Sequence, residues 1–259
     1  MFLPRRSATS TLLKALFVSA CLFGAGTRTG TTLARSMPAR AQETTAQGPS
    51  SSAAAVKPPV DDTARGVQFY QQSKYKEAVK LLRAVTKKNK EDAEAWLYLG
   101  LSHLRLDEMK KAREALQTAR GLRPKHGVTL NALAVMLVRS GDEYEALQAA
   151  TEAAKHAPQN VESHYLLGAI NYRSGRFVEA LAGAEAALKI NASFPSAHYL
   201  KGQALLGLSD QALTNSRNET PDVRSMLSEK ADARFTEAVQ TLETFMRLAP
   251  NAPEVPLLR

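Results

Sequence analysis

From residue 60 onward the chain is written in short amphipathic stretches. Apolar side chains fall near i, i+3, i+4 and i+7 over about 13 residues, a few polar or glycine-bearing residues follow, and the pattern restarts. "RSGDEY" at 139–144 and "RSGRF" at 173–177 are two of the breaks. This spacing predicts an all-α chain of paired helices. Helices of that length are marginal alone in water, so each pair has to bury its apolar stripe against a neighbour.

The restarts are periodic. A step of 34 residues from Gly100 reaches Gly66 behind it and Ala134, Gly168 and Gly202 ahead. From Ala112 the same step meets Ala78, Ala146 and Ala180, and from Ala119 it meets Val85, Ala153 and Ala187. Trp96, Leu130, His164 and His198 hold a bulky position one turn before the small residue, and Pro124 and Pro158 close two of the units. Lys90 and Ala192 stand at the equivalent closing places. A small residue on the first helix lets the second approach closely, and stacking of neighbours supplies the burial that one pair lacks.

This pattern resembles the tetratricopeptide repeat, whose signature is W-x2-L-G-x2-Y, A-x3-F, A and P over one unit. Trp96, Leu99, Gly100, Ala112, Leu116, Ala119 and Pro124 fall on it, with His103 in place of Tyr and Leu116 in place of Phe. The resemblance implies a right-handed α-solenoid of helix-turn-helix repeats over 60–250, with units at 59–92, 93–126, 127–160, 161–194 and 195–250.

The fifth unit departs from the step. "RFTEAVQTLETFMRLAP" arrives 24 residues late, which places an insertion at about 209–232. Thr220, Pro221 and Asp222 make a helix start, with proline at the first helical position and an acid near the positive end. The second helix of this unit is therefore expected from Pro221 to about Leu248, giving an extended helical hairpin, with a disordered loop as the alternative. Residues 251–259 read as a tail without a polar capping helix. Either the hairpin caps the array or a downstream domain is missing.

The formal net charge of +9 changes this picture little. Arg5, Arg6, Lys14, Arg28, Arg35 and Arg40 lie in the first 42 residues with no acid, leaving 28 basic against 25 acidic residues elsewhere. A nucleic-acid partner is accordingly not expected. Residues 1–41 have the layout of an export signal or membrane-anchor leader: paired arginines, the apolar run "ALFVSACLFGAG" at 15–26, then small and polar residues. "VSAC" resembles a lipobox that would lipidate Cys21, whereas "ARA" at 39–41 resembles a cleavage site. A mitochondrial presequence fits the composition but not the continuous apolar run. Residues 42–59, rich in Pro, Ser and Ala, read as a flexible linker. Cys21 is the sole cysteine, which excludes an internal disulfide and a cysteine-based metal site.

Chemical motifs are scarce. No phosphate loop, zinc-protease or nucleophile-elbow pattern occurs, and His103, His164 and His198 are accounted for as packing residues. No catalytic residue, metal or cofactor is expected. The family resemblance implies instead a concave groove lined by the first helix of each unit. Its positions here are Leu97, Leu101, Leu104 and Arg105; Asn131, Val135, Val138 and Arg139; Tyr165, Ala169, Tyr172 and Arg173; and Tyr199, Gln203 and Leu206. Arg105, Arg139 and Arg173 would form either a ladder for an acidic peptide or pairs with neighbouring acids. Thr63 and Val67 do not supply the Lys and Asn clamp that some family members use for a chaperone's carboxylate. The expectation is a non-catalytic adaptor of the cell envelope, exported and either periplasmic or held at the membrane by its leader, binding a protein or peptide partner. The alternative is a spacer for an envelope assembly whose functional domain is missing.

Overall fold

The computed structural model describes residues 61–258. The leader, the 42–59 linker and Cys21 lie outside them. Ten α-helices follow in five pairs among the described residues. They are α1 (Asp62–Gln71) with α2 (Tyr75–Lys88), α3 (Ala93–Arg105) with α4 (Met109–Leu122), α5 (Gly127–Ser140) with α6 (Glu143–His156), α7 (Val161–Arg173) with α8 (Phe177–Ile190), and α9 (Pro195–Ser216) with α10 (Pro221–Leu248). A single 3-10 turn, Val255–Leu257, closes the chain. The first and second helix of each pair are called A and B below.

Local chemistry sets these boundaries. The Asp92 and Asn160 side chains accept hydrogen bonds from the Ala95 and Ser163 amides and cap α3 and α7, while Pro195 and Pro221 open α9 and α10. The turn from A to B needs one left-handed residue. It is Ser73, Asp107, Gly141 and Gly175 in successive units, with φ of 60°, 62°, 84° and 74°. The same step then lands on Ser209, which stays helical, so α9 runs on to Ser216 instead of turning.

Packing within a pair rests on small residues. Ala78, Ala112, Ala146, Ala180 and Ala238 have no exposed surface at all. Opposite them, a Cβ on Gly100 would sit 2.7 Å from Leu116 Cγ, and one on Gly202 would sit 2.6 Å from Leu242. In the fourth unit the approach is backbone to backbone, since a Cβ on Gly183 would meet Gly168 Cα at 2.6 Å. Between pairs, buried side chains join into clusters that run from the α2–α4 region through α3–α7 to α7–α10. Each fully buried leucine, such as Leu82, Leu116 or Leu200, contributes about 1.5–3 kcal/mol of transfer free energy.

The bulky position one turn before the small residue has a polar task as well as a packing one. Trp96 Nε1 donates to the Lys90 carbonyl at 2.9 Å, and the Nε2 atoms of His164 and His198 meet the carbonyls of Pro158 at 2.9 Å and Ala192 at 2.8 Å. Each ring ties helix A to the end of the unit before it. The two histidines can do this only with a proton on Nε2.

The fifth unit carries the expected long helix. α10 has 28 residues and is roughly 42 Å long. Most of the polar insertion is helical too. Ser209–Ser216 lengthens α9, and only 217–220 connects the two helices. Ser209 Oγ donates to the Ala231 carbonyl at 2.7 Å and Arg234 to that of Leu208 at 3.2 Å, fastening the lengthened hairpin. No helix among the described residues is long and apolar enough to cross a membrane.

Two substitutions test this account by thermal or denaturant unfolding. Gly183→Ala should destabilise by about 1–3 kcal/mol through overpacking against Gly168, although alanine is the better helix former. Ser73→Gly, at an exposed left-handed turn, should stabilise by about 0.5–1 kcal/mol.

Candidate protein-binding face

Consecutive A helices lie against one another along the stack, whereas B helices pack chiefly between A helices. The A helices therefore form the inner face and the B helices the outer one. This face gathers the expected groove positions but divides them. Leu97, Leu104, Tyr165, Ala169, Tyr199 and Gln203 are buried, because at these positions adjacent A helices press together. They shape the face and offer little surface to a ligand. Leu101, Val135, Val138, Tyr172 and Leu206 are half-buried and supply its accessible apolar area. Tyr70 and Tyr98, not singled out from sequence, belong to the same face at its N-terminal end, where their rings meet edge to face at 5.5 Å. One step of 34 back from Leu104 lands on Tyr70, so the repeat register held the signal for it.

Polar side chains stitch the A helices together. Asn131 Nδ2 donates to Ser163 Oγ at 2.9 Å, and that hydroxyl in turn donates to Asn160 Oδ1 at 3.1 Å. Asn131 Oδ1 is left buried without a hydrogen-bond partner, at a cost of about 1–3 kcal/mol. The arginines sit in the same seams. Arg139 donates to the Leu104 carbonyl at 2.7 Å and to Asp107 at 2.6 Å, Arg173 pairs with Glu143 at 3.4 Å, and Arg105 reaches the Tyr70 hydroxyl at 3.4 Å. Arg139 and Arg173 thus pair with acids at the A–B turn of the preceding unit, whereas Arg105 meets a tyrosine hydroxyl on the preceding helix A. The step after Arg173 lands on Gly207, where a Cβ would meet the Phe177 ring at 2.7 Å.

Aromatic packing concentrates toward the C-terminal end. Tyr165 meets Phe194, Tyr172 meets Phe177 and Tyr199 meets Phe245, with ring centroids 5.5, 5.5 and 5.1 Å apart. The Tyr172 hydroxyl donates to Gln203 Oε1 at 3.2 Å, and burial raises its pKa. Burial, then the charges of Glu254 and Tyr172, push the Tyr199 phenol up from 10.0 to about 12.

Four of the five histidines make local hydrogen bonds or ion pairs at helix ends and unit junctions. His103 pairs with Glu108 at the A–B turn, and His126 Nδ1 meets Thr129 Oγ1 at 2.8 Å at the start of α5. No group of His, Cys, Asp and Glu among the described residues could hold a metal ion. On the outer side, a shallow cleft of about 310 Å³ lies between Met109, Lys110, Arg113 and Ser140, and Arg113 within it is engaged by Asp142.

Stacked helix pairs, small residues at each crossing and an inner face of A helices define an α-solenoid scaffold. The family model described as the cytochrome c-type biogenesis protein H TPR domain matches residues 70–193. Among solved structures, MamA is 18% identical, with a TM-score of 0.54 over 70% of this chain and 96% of that one. TTC0263, a thermophilic TPR protein of Thermus thermophilus, is 20% identical, with a TM-score of 0.56 over 76% of this chain and 94% of its own. YrrB, described as a TPR protein with an unusual peptide-binding site, is 15% identical, with a TM-score of 0.53 over 76% and 89%. No curated protein sequence matches. The chain has the fold of tetratricopeptide repeat proteins, and its residues 70–193 carry the family match.

The Tyr199 shift has a definite sign. A phenol whose folded pKa lies above its unfolded value stabilises the fold fully below pH 10.0, and that contribution is lost as pH rises through about 12. Tyr199→Phe should therefore unfold less steeply with pH across this window than the wild type, as read by circular dichroism. Parallel curves would contradict the assignment.

Proposed function

We propose that this protein is an exported adaptor of the cell envelope that holds an extended segment of a partner protein on its inner face and carries out no reaction itself. The observation that carries the reading is the row of half-buried apolar and aromatic side chains running from Tyr70 and Leu101 through Val135 and Val138 to Tyr172. A row with one foothold per unit suits an extended chain, which engages successive pockets at a regular interval. The arginines beside it are already paired, so apolar contact, more than an acidic ligand, is its main source of affinity.

The envelope setting draws on two further points. The leader has the order of an export signal, with paired basic residues, an apolar run and small residues. The matching family model comes from cytochrome c-type biogenesis, a setting that favours an extracytoplasmic location. Attachment through the leader, by lipidation at Cys21 or by an uncleaved apolar run, would place the array at the membrane surface.

The test is affinity capture from crosslinked envelope fractions. Wild type is compared with Leu101→Glu plus Val138→Glu, and with Tyr144→Glu on the outer face, where Tyr144 is 75% exposed. The inner-face pair should lose its specific partners while retaining a helical circular dichroism spectrum, and the Tyr144 variant should keep them. Identical partner lists for all three proteins would contradict the proposal.

A further inference from the structure

The outermost stripe of α2 is wholly basic. Lys76, Lys80, Arg83 and Lys87 fall at i, i+4, i+7 and i+11, which places them within about 60° of arc and in a row roughly 16 Å long. All four are exposed, while Ala78 and Leu82 on the opposite side of the helix have no exposed surface. The row therefore points away from the stack. At the equivalent positions each of the other four B helices carries a single base, Lys110, Lys155, Lys189 or Arg247, among neutral, apolar or acidic residues. The repeat does not call for four.

Nor does the row help its own helix. Like charges at i, i+3 and i, i+4 repel, and Lys76 stands in the first turn, where the helix dipole favours an acid. Glu77 is the only acid in α2. None of the four bases makes an ion pair among the described residues, whereas Arg113, Arg120, Arg139 and Arg173 are each engaged by an acid. The imbalance is regional as well. Residues 74–125 hold 14 basic and 7 acidic side chains, and residues 126–259 hold 12 and 15.

We propose that the row on α2 is a contact for anionic lipid headgroups, which lays the first unit against a negatively charged membrane surface. Two features favour a bilayer over a protein partner. None of the ten large hydrophobic residues exposed among the described residues lies on α2, and a protein interface needs an apolar core as well as charge. A straight row on the outer ridge of the stack can meet a separate, laterally mobile phosphate at each base, by charge alone. Nucleic acid fits less well, because no aromatic side chain stands in the row to stack on a base. The row is also in a suitable place: α2 belongs to the pair that follows the leader and residues 42–59, a span of roughly 20–25 Å for a flexible chain. The later, more acidic units would be held away from the same surface. For the nearness of a membrane the contact rests on the envelope setting proposed above. Vesicle binding is read without a protein partner, so it can fail while capture on the inner face succeeds, and the reverse.

The test is flotation of the full chain with vesicles of phosphatidylcholine, alone or with about 30% phosphatidylglycerol, at about 0.1 M salt. Wild type is compared with Lys76→Gln plus Lys80→Gln plus Arg83→Gln. The control is Lys155→Gln plus Lys189→Gln plus Arg247→Gln, which removes the same charge from exposed, equivalent positions of later B helices. The leader is common to all three chains, so differences between them read the array. The row variant should partition onto the anionic vesicles at least about ten-fold more weakly than wild type and the control within about two-fold of it, and phosphatidylcholine alone should not separate them. Glutamine forms helix about as well as lysine, so both variants should melt no lower than wild type. A row variant that binds the anionic vesicles as wild type does, or a control that loses as much, would overturn the proposal. Row-dependent binding to polyglutamate or duplex DNA, with none to the vesicles, would overturn it too, by assigning the row to an acidic polypeptide or a nucleic acid.

Discussion

In the second to fourth units, helices of 13 or 14 residues come together because alanine or glycine stands where they cross. Without a large side chain in the way, Gly100 brings α3 onto Leu116, and Gly168 meets Gly183 nearly backbone to backbone. A pair joined this way still exposes one apolar stripe on each side, so it is stable only with a pair above and a pair below. Much else follows from that need. The ring at the Trp96, His164 and His198 position ties its pair to the previous one, while Arg139 reaches the preceding helix A and Arg173 the start of the preceding helix B. On the last described pair, Phe235 and Val239 are exposed.

The same stacking creates the inner face proposed for recognition and limits it. Bringing A helices side by side buries Leu97, Leu104, Tyr165 and Tyr199 in the seams and leaves Leu101, Val135 and Tyr172 between them. The buried set is closed to a ligand, and the half-buried set is what a partner could touch. A surface held by packed seams and paired arginines is largely formed before binding, so association need not order the face itself.

How far the sequence reaches follows from the range of the interaction concerned. Fold and register were legible because small and bulky residues recur at one interval, and α10 was legible from Thr220, Pro221 and Asp222, a local start signal. The left-handed turn residue was half legible: Gly141 and Gly175 announce it, whereas Ser73 and Asp107 do not. The continuation of α9 through Ser209 was not, because it depends on a hydroxyl reaching Ala231, 22 residues away. The split of the groove residues was hidden for a similar reason. Periodicity assigns a side chain to a face, but the distance between neighbouring A helices decides whether it is covered.

The central claim is that partners are held on the inner face. It is tested most directly by placing a photo-crosslinking amino acid at Val135, half-buried between A helices, and separately at Tyr144 on the outer face, then irradiating cells that make the full chain. The account predicts a discrete crosslinked species from the Val135 position and none from the Tyr144 position. Adducts from Tyr144 alone, or the same adducts from both, would contradict it.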